Sequence, residues 1–153
     1  MSHDATRTEP PADGVILGYG PMLPTVAAAI GAWLMPPPWP FWAVHLGVIW
    51  AALILVFIAG VRRGFGFGFP PASTAIAIAS SITYFVLGGL ALVIGPPSVA
   101  LIPLMIGYAL AALLDRHAAL SGNAPAYFAR LRPRQMLLRL AGLAGLWAWT
   151  VLH

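Results

Sequence analysis

Cysteine is missing from this 153-residue chain, and so is lysine: all eight basic residues are arginine. Without cysteine there is no disulfide, no thiolate metal site and no cysteine nucleophile, and the redox compartment cannot be read from thiols. Charge of either sign is scarce, at 8% of residues against about 25% for an ordinary soluble domain. No charged side chain occurs from Gly14 to Val61, or again from Gly64 to Leu114. A chain this small has too much surface for its volume to hide so much apolar sequence in a core. With 60% hydrophobic residues and a mean hydropathy of +0.87, most of it must be solvated by lipid. Catalytic signatures are missing too. Gly64, Gly66 and Gly68 are not followed by the Gly-Lys-Ser/Thr of a phosphate loop, and no Gly-x-Ser-x-Gly elbow exists. There is no internal repeat of the kind that inverted-repeat transporters carry. The pI near 10.4 does not point to nucleic acid, because the arginines flank apolar spans where membrane topology accounts for them.

What is present is a series of apolar runs near the ~20 residues that a spanning helix needs. They are Gly14–Met35, Phe41–Val61, Pro71–Ile94, Ser98–Leu114 and Gln135–Leu152. The expected fold is an all-α integral membrane protein with five transmembrane helices. Residues 1–13 form a disordered polar tail, without the basic start of a cleaved signal, and residues 14–153 form a single transmembrane domain. Five spans place the tail, the second loop and the fourth loop on one side. That side carries Arg7, Arg62, Arg63, Arg116, Arg130, Arg132 and Arg134, and the four acids Asp4, Glu9, Asp13 and Asp115. The other side carries none. By the positive-inside rule the N-terminus is cytoplasmic and the C-terminus outside. The membrane is then the bacterial cytoplasmic (inner) membrane, with the mitochondrial inner membrane as the lesser alternative.

Aromatic residues agree with this layout. Trp33, Trp39, Trp42, Trp147 and Trp149 fall at the outer interface, and only Trp50 near mid-membrane. At the inner interface, "RRGFGFGF" (Arg62–Phe69) reads as a cytoplasmic turn, its glycines bending the backbone and its phenylalanines wedged among headgroups. The fourth loop suggests a short helix lying on the inner leaflet, capped by Asn123 with Pro125 in its first turn. Tyr127, Phe128 and Leu131 would share its apolar face. Arg116, Arg130, Arg132, Arg134 and Arg139 are expected to contact anionic lipid, Arg139 by snorkelling from about one turn inside the fifth span.

Four constellations could carry chemistry. Ser73, Ser80, Thr83 and Tyr84, with Ala77 and Gly88, mark the third span as a polar helix seam or a ligand path, which Thr25, Trp50 and Tyr108 would complete. A seam is the simpler reading, because small residues admit close helix approach and hydroxyls bond across it. No acid or base lies in the middle third of any span, as an ion-coupled carrier would need. His45 is the one intramembrane histidine and a weak candidate to hold a cofactor, alone unless His153 comes near; a hydrogen bond to a neighbouring helix is the plainer role. Asp115 can pair with Arg62 or Arg63, which end an adjacent span on the same side. Such a clamp keeps the carboxylate ionised, the opposite of what a general acid requires. Finally, Gly14–Gly18, Ala27–Gly31, Gly60–Gly64 and Ala141–Gly145 are small-xxx-small spacings suited to close packing.

Taken in order, "LGYGPMLP" (Leu17–Pro24), "WAALILVFIAGVRRG" (Trp50–Gly64), "IGYALAALLDRHAA" (Ile106–Ala119) and "APAYFARLRPR" (Ala124–Arg134) resemble a family of small bacterial multi-pass membrane proteins. The family is catalogued as domain of unknown function 3429, with a mitochondrial transmembrane relative in animals. The resemblance runs from about Gly14 to Leu152. The family's Gly-Gly-x-Arg-Trp-Gly maps onto Ala59 to Gly64, with Arg63 where tryptophan is usual; Tyr127 likewise replaces a tryptophan. The resemblance implies a multi-pass architecture in an energy-transducing membrane and no particular activity.

The expected function is that of a non-enzymatic accessory or assembly subunit packed against a larger respiratory or photosynthetic membrane complex. The alternative is a small transporter or a lipid- or quinone-binding protein. A headgroup-modifying enzyme built on Asp115 fits least, since it would have a single carboxylate. No cofactor is predicted, though a bound lipid or quinone has room in this reading. Expected partners are anionic inner-leaflet lipids and other membrane proteins or further copies of the chain.

Overall fold

Proline and glycine set most of the helix ends. Pro24 has no N–H to offer the Gly20 carbonyl, which takes Leu23 N–H instead, so the chain enters the bundle through a 3-10 turn, Gly20–Met22. Helix α1, Leu23–Leu34, follows directly. It stops at Met35, where the backbone turns extended ahead of three prolines and the Pro37–Pro38 bond is cis. Helix α2 is Trp39–Gly68 and helix α3 is Ala75–Val93. The Thr74 hydroxyl caps α3 by accepting from Ala77 N–H at 3.1 Å. Helix α4, Pro97–Leu120, opens with proline at a first-turn position, and closes where Gly122 adopts φ +74° and donates to the Ala119 carbonyl. Helix α5 is Phe128–Leu152. This is a computed structural model describing residues 16, 18–68, 74–122, 124 and 128–153, and it contains no strand among them.

Each helix packs on its neighbour in sequence, and α1 returns to α5, so the five close into a ring with α2 and α4 also touching across it. The centre is made by Ala51, Ala52 and Leu55 of α2, Leu101, Leu104 and Tyr108 of α4, and Met136, Leu143 and Leu146 of α5, all buried. The outside is apolar as well: Leu53, Phe57, Ile76, Ile82, Phe85, Leu90 and Leu113 stand exposed. Water would not tolerate that surface, whereas lipid suits it. The chain is a multi-pass helical membrane protein by this measure, with α2, α3, α4 and α5 each long and apolar enough to cross a bilayer.

Three expectations change. The first apolar segment is not one long helix: Gly20–Leu34 is a shorter apolar helix broken by its 3-10 turn. "RRGFGFG" is not a turn, because α2 runs on through Gly68. Helical geometry there sets Arg63 over the Phe67 ring, one turn on, at 4.4 Å. Phe128 and Leu131 are not set apart in a separate inner-leaflet helix either. Phe128 and Leu131 belong to α5, which continues through Pro133, close enough to the helix start that its missing N–H costs a single bond. The tail, Phe69, Ser73, Asn123, Pro125 and Tyr127 lie outside the described residues.

Close approach of α3 to α2 depends on Gly88. A Cβ there would meet Val56 Cγ2 at 2.8 Å and the Ala52 carbonyl oxygen at 3.0 Å, whereas a Cβ on Gly89 would meet nothing. Gly88→Leu is therefore expected to lower stability by about 1–3 kcal/mol, the usual cost of overpacking, and Gly89→Leu to leave it nearly unchanged. Thermal unfolding of the two variants in one detergent measures the difference, and equal behaviour would refute the seam.

Candidate functional site

The buried polar groups gather at two levels of the bundle. The first is built on Arg62, whose phase on α2 matches buried Ile58 and Leu55, one and two turns earlier. Its Nη1 donates to Asp115 Oδ1 of α4 at 2.6 Å, and its Nε donates to the Ser80 hydroxyl of α3. The Tyr84 hydroxyl joins the Asp115 carboxylate and lies 3.4 Å from the Leu110 carbonyl. Arg132 of α5 comes within 3.7 Å of Asp115 Oδ2 while its guanidinium covers the Phe128 ring. Four helices thus meet on one carboxylate whose side chain is 5% exposed.

That geometry selects among the expected partners. Arg62, not Arg63, holds Asp115. Arg132 is turned inward to the same carboxylate, which corrects its assignment to lipid contact, whereas Arg116, Arg130 and Arg134 are exposed. Of the third-span hydroxyls, those of Ser80 and Ser81 reach across to α2, and that of Thr83 does not. Ser80 serves Arg62, Ser81 donates to the Ala59 carbonyl of α2 at 2.7 Å, and Thr83 donates to Ala79 of its own helix at 2.8 Å.

The second level centres on Arg139, and here the expectation fails outright. Arg139 does not snorkel to headgroups; it is 0% exposed. With α5 starting at Phe128, Arg139 lies about three turns inside it, facing α1 and α4. Nη1 donates to Thr25 Oγ1 at 2.5 Å, Nη2 to the Pro21 carbonyl, and Nε approaches Met22 Sδ at 3.1 Å. The Tyr108 ring lies 5.2 Å from the guanidinium carbon, and Trp50 Nε1 donates to the same Pro21 carbonyl at 2.8 Å. Thr25, Trp50 and Tyr108 therefore surround Arg139 and do not complete the third-span stripe. Among the described residues no carboxylate pairs with Arg139.

His45 bonds within its own helix, Nδ1 donating to the Phe41 carbonyl at 2.8 Å with the two rings 4.0 Å apart. His153 goes elsewhere, stacking on Trp149 and meeting the edge of Trp33. Trp33 also donates to the Gly145 carbonyl at 3.0 Å. The tryptophan-rich end and the arginine-rich end are thus opposite ends of the ring. The Arg139 node is what sequence reasoning missed. Its one signal was a cation inside an apolar run with a threonine and a carbonyl-freeing proline elsewhere in the chain, which gives no spacing to read. The chain matches no family model, no curated protein and no solved structure.

Removing the Asp115 charge strands Arg62 in an apolar interior. Asp115→Asn is expected to cost about 3–5 kcal/mol, and the double variant Asp115→Asn with Arg62→Gln clearly less than the sum of the two single changes. A double-mutant cycle of unfolding free energies checks this, and simple additivity would mean that the pair contributes nothing.

Proposed function

We propose that the chain is a non-enzymatic accessory or assembly subunit that packs against a larger respiratory or photosynthetic complex. In this reading it lies in the bacterial cytoplasmic membrane with five spanning segments, a cytoplasmic N-terminus and membership of the family catalogued as domain of unknown function 3429. Two features support the layout. The described arginines from Arg62 to Arg134 share one end of the ring, and Gly18 and Tyr19 are helical upstream of the 3-10 turn, which lengthens the first segment.

One observation carries the partner. Gly60 and Gly64 of α2, one turn apart, are exposed, and a Cβ on either would meet no atom within 4 Å. Every interior glycine against a neighbouring helix is used for close approach; these two face outward and give a shallow track beside exposed Phe57 and Phe67. A helix of a partner protein can seat there at short distance, as small-xxx-small tracks allow. Interior hydroxyls and charges, by contrast, are engaged in tying the five helices together.

The double substitution Gly60→Ile and Gly64→Ile blocks the track without touching the bundle. Tagged protein purified in mild detergent from its native membrane is expected to bring down a larger complex stoichiometrically, and the double variant to lose it while unfolding at an unchanged temperature. Recovery of the wild-type protein alone overturns the subunit reading, and recovery as a homo-oligomer transfers the track to a second copy.

A further inference from the structure

Between α2, α5 and the 3-10 turn lies a cavity of about 210 Å³, open at the bundle surface. Its α2 wall is Ile54, Phe57, Ile58 and Val61, and Leu131 and Gln135 of α5 also line it. Gln135 is 1% exposed, and among the described residues its Nε2 has no hydrogen-bond partner. A buried amide that gives up hydration without making a bond in return is destabilising, so a glutamine at this place calls for an acceptor. Gly18 leaves room for the amide, because a Cβ there would collide with Nε2.

Pro21 and Arg132, which also line the cavity, are already engaged. The Pro21 carbonyl accepts from both Arg139 Nη2 and Trp50 Nε1, which uses its two lone pairs. Arg132 is held by Asp115 and lies over the Phe128 ring. Water is a poor match for what is left. A buried water makes about three hydrogen bonds, and the described wall offers one unengaged amide among apolar side chains. A headgroup rich in charge or hydroxyls fails for the same reason, since its other polar atoms would be buried unpaired. What matches is a carbonyl oxygen at the edge of an otherwise apolar body. Size agrees with this. Sites for whole drug-sized ligands run to about 300–1,000 Å³, so 210 Å³ admits one end of a molecule whose remainder leaves through the open side. The α2 wall from Ile54 to Val61 is roughly 10 Å long at 1.5 Å per residue, enough to lie along a ring or a short chain.

We propose that this cavity binds an uncharged, lipid-soluble carbonyl compound, its oxygen accepting from the Gln135 amide and its apolar body lying along Ile54, Phe57, Ile58 and Val61. Two kinds of membrane molecule carry that chemistry: a quinone, through a ring carbonyl, and a fatty acyl ester, through its ester carbonyl. Neither asks anything of the arginines. The site does not depend on the subunit reading, because Gly60 and Gly64 are not among the described residues that line it.

Gln135→Met is the informative substitution. It keeps the length of the side chain, removes a donor that no described residue accepts from, and so leaves folding intact or improved. Val61→Trp is the second variant: it retains Gln135 and fills the slot from α2. Full-length protein in detergent is titrated with a short-chain menaquinone, with methyl oleate and with octadecene. The rise in unfolding temperature with concentration gives each affinity. Wild-type protein is expected to be stabilised saturably by the menaquinone or by methyl oleate, and whichever acts identifies the source of the carbonyl. If both act, the site reads the carbonyl alone. Gln135→Met should bind the active probe about tenfold more weakly, the loss that ~1.4 kcal/mol gives, and Val61→Trp should lose it. Stabilisation by neither carbonyl probe leaves the amide to water and overturns the proposal. Equal stabilisation by octadecene, which fills the slot without an acceptor, overturns it as well. So does an affinity unchanged in Gln135→Met or in Val61→Trp.

Discussion

Asp115 is the constraint around which the bundle is arranged. In hydrocarbon, apolar side chains gain little by leaving lipid for protein, so packing between helices is weakly directional and tolerates sliding along a small-residue seam. A buried carboxylate cannot tolerate sliding, because losing its partner leaves an uncompensated charge, which costs about 3–5 kcal/mol. Arg62 from α2, Ser80 through Arg62 and Tyr84 from α3, and Arg132 from α5 all reach one group on α4. One acid therefore fixes the axial position of four helices, and the alanine and glycine contacts elsewhere only have to be close, not specific.

Arg139 performs the matching task for the element that Asp115 does not reach. Helix α1 is short, starts from a 3-10 turn and packs between α2 and α5. Its entry supplies the Pro21 carbonyl, the Met22 sulfur and the Thr25 hydroxyl, and Arg139 takes all three with one side chain. Gly142, one turn along α5, lets α5 lie against the Thr25 backbone, since a Cβ there would already be at 3.3 Å. A single flat donor group spanning several acceptors is what arginine offers and lysine does not.

Composition made the helices and their lipid setting legible, because a chain with two charge-free stretches of this length has few other ways to be solvated. The pairing of Asp115 with the end of α2 was also legible, as the nearest cations to the sole acid between spans. Which of Arg62 and Arg63 would pair was not. In a helix apolar on every side, hydrophobicity no longer marks the inner face, so the phase that puts Arg62 beneath Leu55 and Ile58 is hidden. Arg139 was misread for a related reason. Its depth was counted from Gln135, where the apolar run starts, but α5 begins at Phe128 and carries the arginine-rich loop as helix. Composition reports where lipid begins; it does not report where the hydrogen-bond ladder begins. The "RRGFGFG" run shows the same gap, since glycine permits a bend without requiring one and the contact of Arg63 with Phe67 follows the helix.

Apart from the two polar nodes, the interior of the ring is closely packed and largely apolar. The ring interior is otherwise filled by residues such as Ala51, Ala52, Leu55, Leu101, Leu104 and Tyr108, all at 0% exposure, and the Tyr108 hydroxyl donates to the Ala51 carbonyl at 2.7 Å. A polar solute crossing that plug would have to open it. Exposed Gly60 and Gly64 lie on the half of α2 that leads to Arg62, and the interior fixes that half through Asp115, so the position of this outward face is set by the same carboxylate that ties the helices.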